Sequence, residues 1–155
     1  MRDTELKEFL VSFGWNEAEV RGEAGGAVVD LERVGFVSHP EARSFLAAYY
    51  GLKIDHPPTT VIEGKMISSW TSFDPTAVCT ARDADVARRC AEVADAVLFP
   101  VGVDSFHVTL YSGNDGKFYA GFDSSVYQYG EDRNEMFSMI KNGDRPILLG
   151  EWLMQ

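Results

Sequence analysis

Residues 106–130 read FHVTLYSGNDGKFYAGFDSSVYQYG. Phe106, Val108 and Leu110 alternate with His107, Thr109 and Tyr111, and Phe118, Ala120 and Phe122 alternate beyond the turn. That period of two is the mark of strands. Between them, Gly113-Asn114-Asp115-Gly116 supplies the positive backbone angles of a tight connection, so the stretch predicts a β-hairpin. One side of it is expected to face the core and the other water or a partner. Val126 to Tyr129 reads as a short third strand, and Asp132 to Lys141 as a helix stopped by Gly143.

Upstream the period changes. Leu6, Phe9, Leu10 and Phe13 fall at helical spacing, with Asp3 or Thr4 placed to cap and Gly14 to end the helix. Asn16 to Gly26 is polar and glycine-rich and reads as a loop, with a short helix through VVDLERVG behind it. Ser38-His39-Pro40-Glu41 has capping-box spacing ahead of Phe45, Leu46, Tyr49 and Tyr50, and Gly51 is the stop. LKID follows as a strand closed by Pro57-Pro58, then a β-prone run from Lys65 to Phe73 and a turn at Asp74-Pro75. DADVARRCAEVADAVL repeats Val86, Cys90, Val93, Ala94 and Val97 at helical spacing, with Asp83 as its cap, and LFPVG is a strand interrupted by Pro100. Together these predict one α+β domain over residues 1–155, a mixed and mostly antiparallel sheet flanked by helices.

The 155 residues carry 24 acidic against 14 basic side chains, a formal charge of −10. Such a surface repels phosphate backbones and anionic lipid, so nucleic acid and membrane are not expected partners. A basic protein is the electrostatic complement. Cys79 and Cys90 are too few for a disulfide framework or a zinc site. The start MRDTELKEFL has no basic-then-apolar signal, and no apolar run reaches membrane-span length, so a cytoplasmic protein is expected.

Catalytic and metal patterns fail on spacing. His39, His56 and His107 fall in three different elements with no second histidine four residues on. His107, on a strand beside acidic residues, is the one to watch for a hydrolase. No serine sits in a nucleophile elbow, and GEAGG at 22–26 lacks the lysine of a phosphate loop. The NDG turn does not fit a calcium loop, because Tyr111 and Gly113 stand where the first ligands belong. No cofactor, metal or catalytic residue is therefore assigned.

Taken in order, the landmarks are a first helix ending in FGW (Phe13 to Trp15), VGF before SHPEARSFLAAYYGLKIDHPP, SFDP, an alanine-rich helix, LFPVG and NDGKFY. This pattern resembles the SUKH superfamily of immunity proteins, most closely its third subgroup, over roughly Leu6 to Gly143. The chain departs from it at Tyr49-Tyr50-Gly51, which has one glycine where two are usual, and at NEAEVRG after the first tryptophan. The resemblance implies a non-enzymatic antidote that binds and neutralises a polymorphic toxin, commonly a nuclease, by blocking its active site. Regulatory binding modules outside toxin systems, of the cell-wall assembly regulator type, are the alternative. Acidic side chains can mimic phosphates and tyrosines offer contact area at low entropic cost. The expected partner contacts are therefore Asp104, Tyr111, Asp115, Asp123, Tyr127 and Tyr129, with Phe45, Leu46, Phe99, Pro100, Gly102 and Phe118 as framework.

Overall fold

A computed structural model describes residues 2–62 and 65–152, with the side chains of 59–68 outside the description. Three helices come first: α1 (Asp3–Val11), α2 (Ala24–Arg33) and α3 (Pro40–Tyr49). The antiparallel pair β1 (Lys53–Ile62) and β2 (Lys65–Ser72) leads through a 3-10 turn, Pro75–Val78, into α4 (Ala81–Ala94). Then come β3 (Leu98–Asp104), β4 (Thr109–Gly113), β5 (Phe118–Phe122), β6 (Ser125–Gln128), α5 (Arg133–Asn142) and β7 (Ile147–Glu151). Each strand pairs antiparallel with the next, so among the described residues the sheet runs in simple sequence order, β1 to β7. The α+β class is as expected.

Helices cover both faces of this sheet. On one, Phe45 of α3 lies at the centre of an aromatic cluster, 4.8 to 6.0 Å from the rings of Tyr49, Phe73, Phe118 and Phe137. These rings supply the large apolar area that dominates core energetics; Tyr49, Phe73 and Phe118 lie tilted or edge-on to Phe45, and Phe137 stacks on it. On the other face α4 presents Ala84, Ala87 and Cys90, all buried. Small residues there let the helix sit close enough for Cys90 to lie beside Tyr111 and Gly121. The expectation of an open hairpin face is therefore corrected: α4 occupies it, and Tyr111 and its cross-strand partner Tyr119 are buried beneath.

Several local expectations shift for identifiable reasons. The cap of α3 is His39, not Ser38: its Nδ1 accepts from the Ala42 amide at 3.2 Å while Nε2 meets the Ser112 carbonyl at 2.8 Å. Ser38 instead donates to Glu32 and accepts from Arg43. The cap of α4 is Thr80, whose hydroxyl accepts from the Asp83 amide and donates to the Asp83 carboxylate. No side chain caps α1. Helix α2 begins within the expected loop, because Ala24, Ala27, Val28 and Leu31 complete a buried helical stripe and Gly25 and Gly26 fall on its exposed side.

Strand β1 continues through Pro57-Pro58, as a sheet edge permits, with its register broken between Asp55 and Thr59. Pro100 likewise adjoins a register shift in β3. Two residues on, Gly102 passes so close to β2 that a Cβ would lie 2.7 Å from the Ser72 carbonyl oxygen. The expected framework residues Phe45, Leu46, Phe99 and Phe118 are all in the core.

Candidate partner-binding site

The hairpin turn builds one end of the sheet. Asp115 accepts from the Lys117 amide through Oδ1 at 3.0 Å and from the Tyr119 hydroxyl through Oδ2 at 2.5 Å. This closes the turn over the edge of the buried tyrosine. Asn114 exchanges hydrogen bonds with Val97, donating its amide at 3.1 Å and accepting the Val97 amide at 3.0 Å. The link from α4 to β3 is thereby fixed beside the turn. Asp95, held left-handed at φ 54° as the C-cap of α4, lies in that link.

Burial, the hydrogen bond to Asp115 and the charges of Asp115, Glu131 and Asp95 together hold the Tyr119 hydroxyl above its ordinary range. Three exposed carboxylates thus share one small region, with Lys117 reaching Glu131 at 3.7 Å as a partial offset. Adjoining them, a groove of about 300 Å³ runs between Gly35-Phe36-Val37 and α4. Ala84, Ala87 and Ala91 line it, Arg88 and Glu92 stand at its side, and Val97 and Leu98 close the end nearest the turn. Arg88 is paired with Asp85. Val37 and Val97 are exposed apolar side chains at its margin.

The opposite end of the sheet is built differently. Asp104 is buried, and its Oδ1 accepts from the amides of Phe106 (2.9 Å) and Val108 (3.0 Å), which folds the β3–β4 turn. Within that turn His107 takes a positive φ of 64° and Phe106 stacks on Phe122 with ring centroids 5.4 Å apart. Asp123, exposed at φ 49°, makes the adjacent β5–β6 turn.

The six residues expected to meet a partner are therefore not brought together. Asp115 and Asp123 are exposed but separated by the length of β5, roughly 17 Å for a strand of that size. Tyr111, Tyr127, Tyr129 and Asp104 are buried. Sequence reasoning missed Asp95 and Glu131 as neighbours of Asp115, and missed the groove. Asp95 follows a helical apolar stripe with no glycine to mark the stop, so its turn conformation had no local signal.

A sequence model of the SUKH-3 immunity protein family matches residues 2–143. The chain belongs to the SUKH-3 immunity protein family. The match spans every helix and the sheet as far as β6, including the hairpin, the acidic turn and the groove. No curated protein and no solved structure matches this SUKH-3 chain. No helix among its described residues is long and apolar enough to cross a membrane.

Proposed function

We propose that this SUKH-3 protein is the antidote to a basic toxin domain, a nuclease, and neutralises it by seating the Asp95–Asp115–Glu131 end of the sheet in the toxin's active-site cleft. The observation that carries the reading is the family match over residues 2–143. The charge of −10 and the grouping of carboxylates around the hairpin turn support its finer part.

A nuclease cleft is shaped to hold phosphates, and carboxylates on a rigid turn meet the same positive groups. Little ordering cost is expected, because Asp115 is already locked by Tyr119 and Lys117. The adjacent groove can take an apolar side chain of the toxin, providing the dry contact that charge alone lacks. The protein acts by occupancy in the cytoplasm, with no cofactor, membrane or nucleic acid of its own. Of the contacts expected from sequence, Asp115 belongs to this surface. Asp123 belongs to the opposite end, and the buried tyrosines contribute by holding the turns in place.

The test is binding to the toxin domain encoded beside this chain's gene, followed by stopped-flow association. The variant Asp95→Asn/Asp115→Asn/Glu131→Gln removes three charges while keeping the side-chain shapes; at position 115 the amide oxygen still accepts from the Lys117 amide, and the NH2 group donates to the Tyr119 oxygen in place of the lost acceptor. Association should slow at low salt and converge on wild type at high salt. Unchanged association kinetics would remove the acidic end from the interface while leaving the antidote role standing; absence of any complex with wild type would remove that role.

A further inference from the structure

We infer that the groove between Gly35-Phe36-Val37 and α4 seats one large apolar side chain of a basic protein segment, whose flanking cations meet Glu92, Asp95 and Asp115. Assigning that segment to the toxin rests on the antidote reading above; the groove itself does not.

The groove has a dry base and an open apolar rim. Of the side chains lining it, only Arg88 and Glu92 are polar. Ala84 and Ala87 are buried, whereas Val37 and Val97 are 60% and 37% exposed. At Gly35 the chain meets α4 closely, since a Cβ there would lie 3.5 Å from that of Ala84 and 3.6 Å from Nη1 of Arg88. An apolar side chain laid between Val37 and Val97 removes both valines from water.

Size and charge choose the occupant. A volume of about 300 Å³ stands at the small end of the range for ligand pockets. Such pockets orient a small molecule through convergent polar groups, and this one has an apolar base with its two polar side chains at the side. A second copy of the chain would bring its own charge of −10 against an acidic margin. That margin is built from three connections. Asp85 offsets Arg88 by pairing with it, which leaves Glu92 on the wall. Asp95 lies in the link that ends at Val97, and Asp115 follows Asn114, whose side chain holds the Val97 amide. Glu92, Asp95 and Asp115 are all exposed. An apolar base inside an acidic margin complements an apolar residue carried between lysines or arginines. The carboxylates then speed encounter, and the buried anchor sets how long the complex lasts.

Two readouts test this. The first needs no toxin: amide chemical shifts of the full chain are followed during titration with a capped pentapeptide that carries one phenylalanine between pairs of lysines. Shifts are expected at Val37, Ala91 and Val97. Serine in place of the phenylalanine should weaken binding by about tenfold or more. So should Ala91→Leu, which fills the groove with another good helix former. Circular dichroism checks that Ala91→Leu is folded; should it not fold, Val37→Ser at the exposed rim carries the test with a several-fold loss. The second readout is stopped-flow with the toxin domain, where Ala91→Leu should speed dissociation by about tenfold or more and leave association unchanged, the reverse of the charge variant. Equal shifts from the two peptides, or shifts indifferent to both variants, overturn the proposal. So do shifts at these amides that grow with protein concentration alone, which would make the occupant a second copy. A toxin that leaves wild type and Ala91→Leu equally slowly overturns its assignment to the groove while the antidote reading stands. A toxin that binds neither removes the antidote reading, and the peptide result still decides the groove.

Discussion

His39 should make the fold pH-sensitive in a way that a single substitution isolates. The buried ring caps α3 through Nδ1 and reaches β4 through Nε2, so both nitrogens are satisfied only in the neutral form protonated at Nε2. A cation would need a proton on Nδ1, which faces the Ala42 amide. Burial lowers the pKa from its ordinary 6.5; the Ser112 carbonyl, Glu41 and Asp115 pull the other way and Arg43 lowers it further. The folded state therefore binds the proton less readily than the unfolded chain. Its stabilising contribution is complete above about pH 6.5 and is lost as pH falls through the folded pKa, with a slope of up to about 1.4 kcal/mol per pH unit for one proton. His39→Asn keeps a cap acceptor and cannot titrate, but its shorter side chain does not reach Ser112. Leaving that buried carbonyl without its donor should cost about 1–3 kcal/mol at pH 7.5. Urea unfolding of both proteins between pH 7.5 and 5 gives the difference, in which the other titrating groups cancel. The gap should narrow as pH falls. A gap that is constant, or that widens, would refute the assignment of His39 as a neutral cap.

Other consequences follow from the turns and the core. Asp104→Ala removes the acceptor for two amides of the β3–β4 turn and should destabilise by about 2–4 kcal/mol in urea unfolding, whatever its effect on a partner. His107→Gly relieves a left-handed backbone and should be neutral or stabilising by up to about 1 kcal/mol, with toxin neutralisation intact. If His107→Gly instead abolished a hydrolytic activity of the wild type, the antidote reading would be displaced. Phe45→Ala opens the aromatic cluster and should cost about 3–5 kcal/mol, read as a fall in the urea midpoint. Cys90, whose thiol burial pushes up to about 11, should resist alkylation in the native protein and react only on unfolding.

The elements with strong local signals were legible. Phe45, Leu46 and Tyr49 at helical spacing, the GNDG turn and Asp132 ahead of α5 each carry their conformation in a few neighbouring residues, and each forms the expected element. The exposure of the tyrosines was not legible, because it is decided by a helix distant in the chain. Tyr111 alternates as a half-exposed strand residue should, yet α4, some twenty residues earlier, lies over it. Strand β7 escaped notice for a related reason: ILLGE has no alternation, and at a sheet edge next to a register shift none is required. The acidic cluster joins Asp95, Asp115 and Glu131 from three connections, a proximity that only the order of strands in the sheet creates. Sequence showed the excess of charge, and the sheet determines where it gathers.

The central claim is that this chain disarms a toxin by binding it. The most direct measurement is isothermal titration of the purified protein with the toxin domain encoded beside its gene, paired with an assay of the nuclease activity proposed for that domain across the same titration. The account predicts a tight complex of fixed stoichiometry and loss of nuclease activity in step with its formation. A toxin that binds nothing, or that stays fully active when saturated, would contradict it.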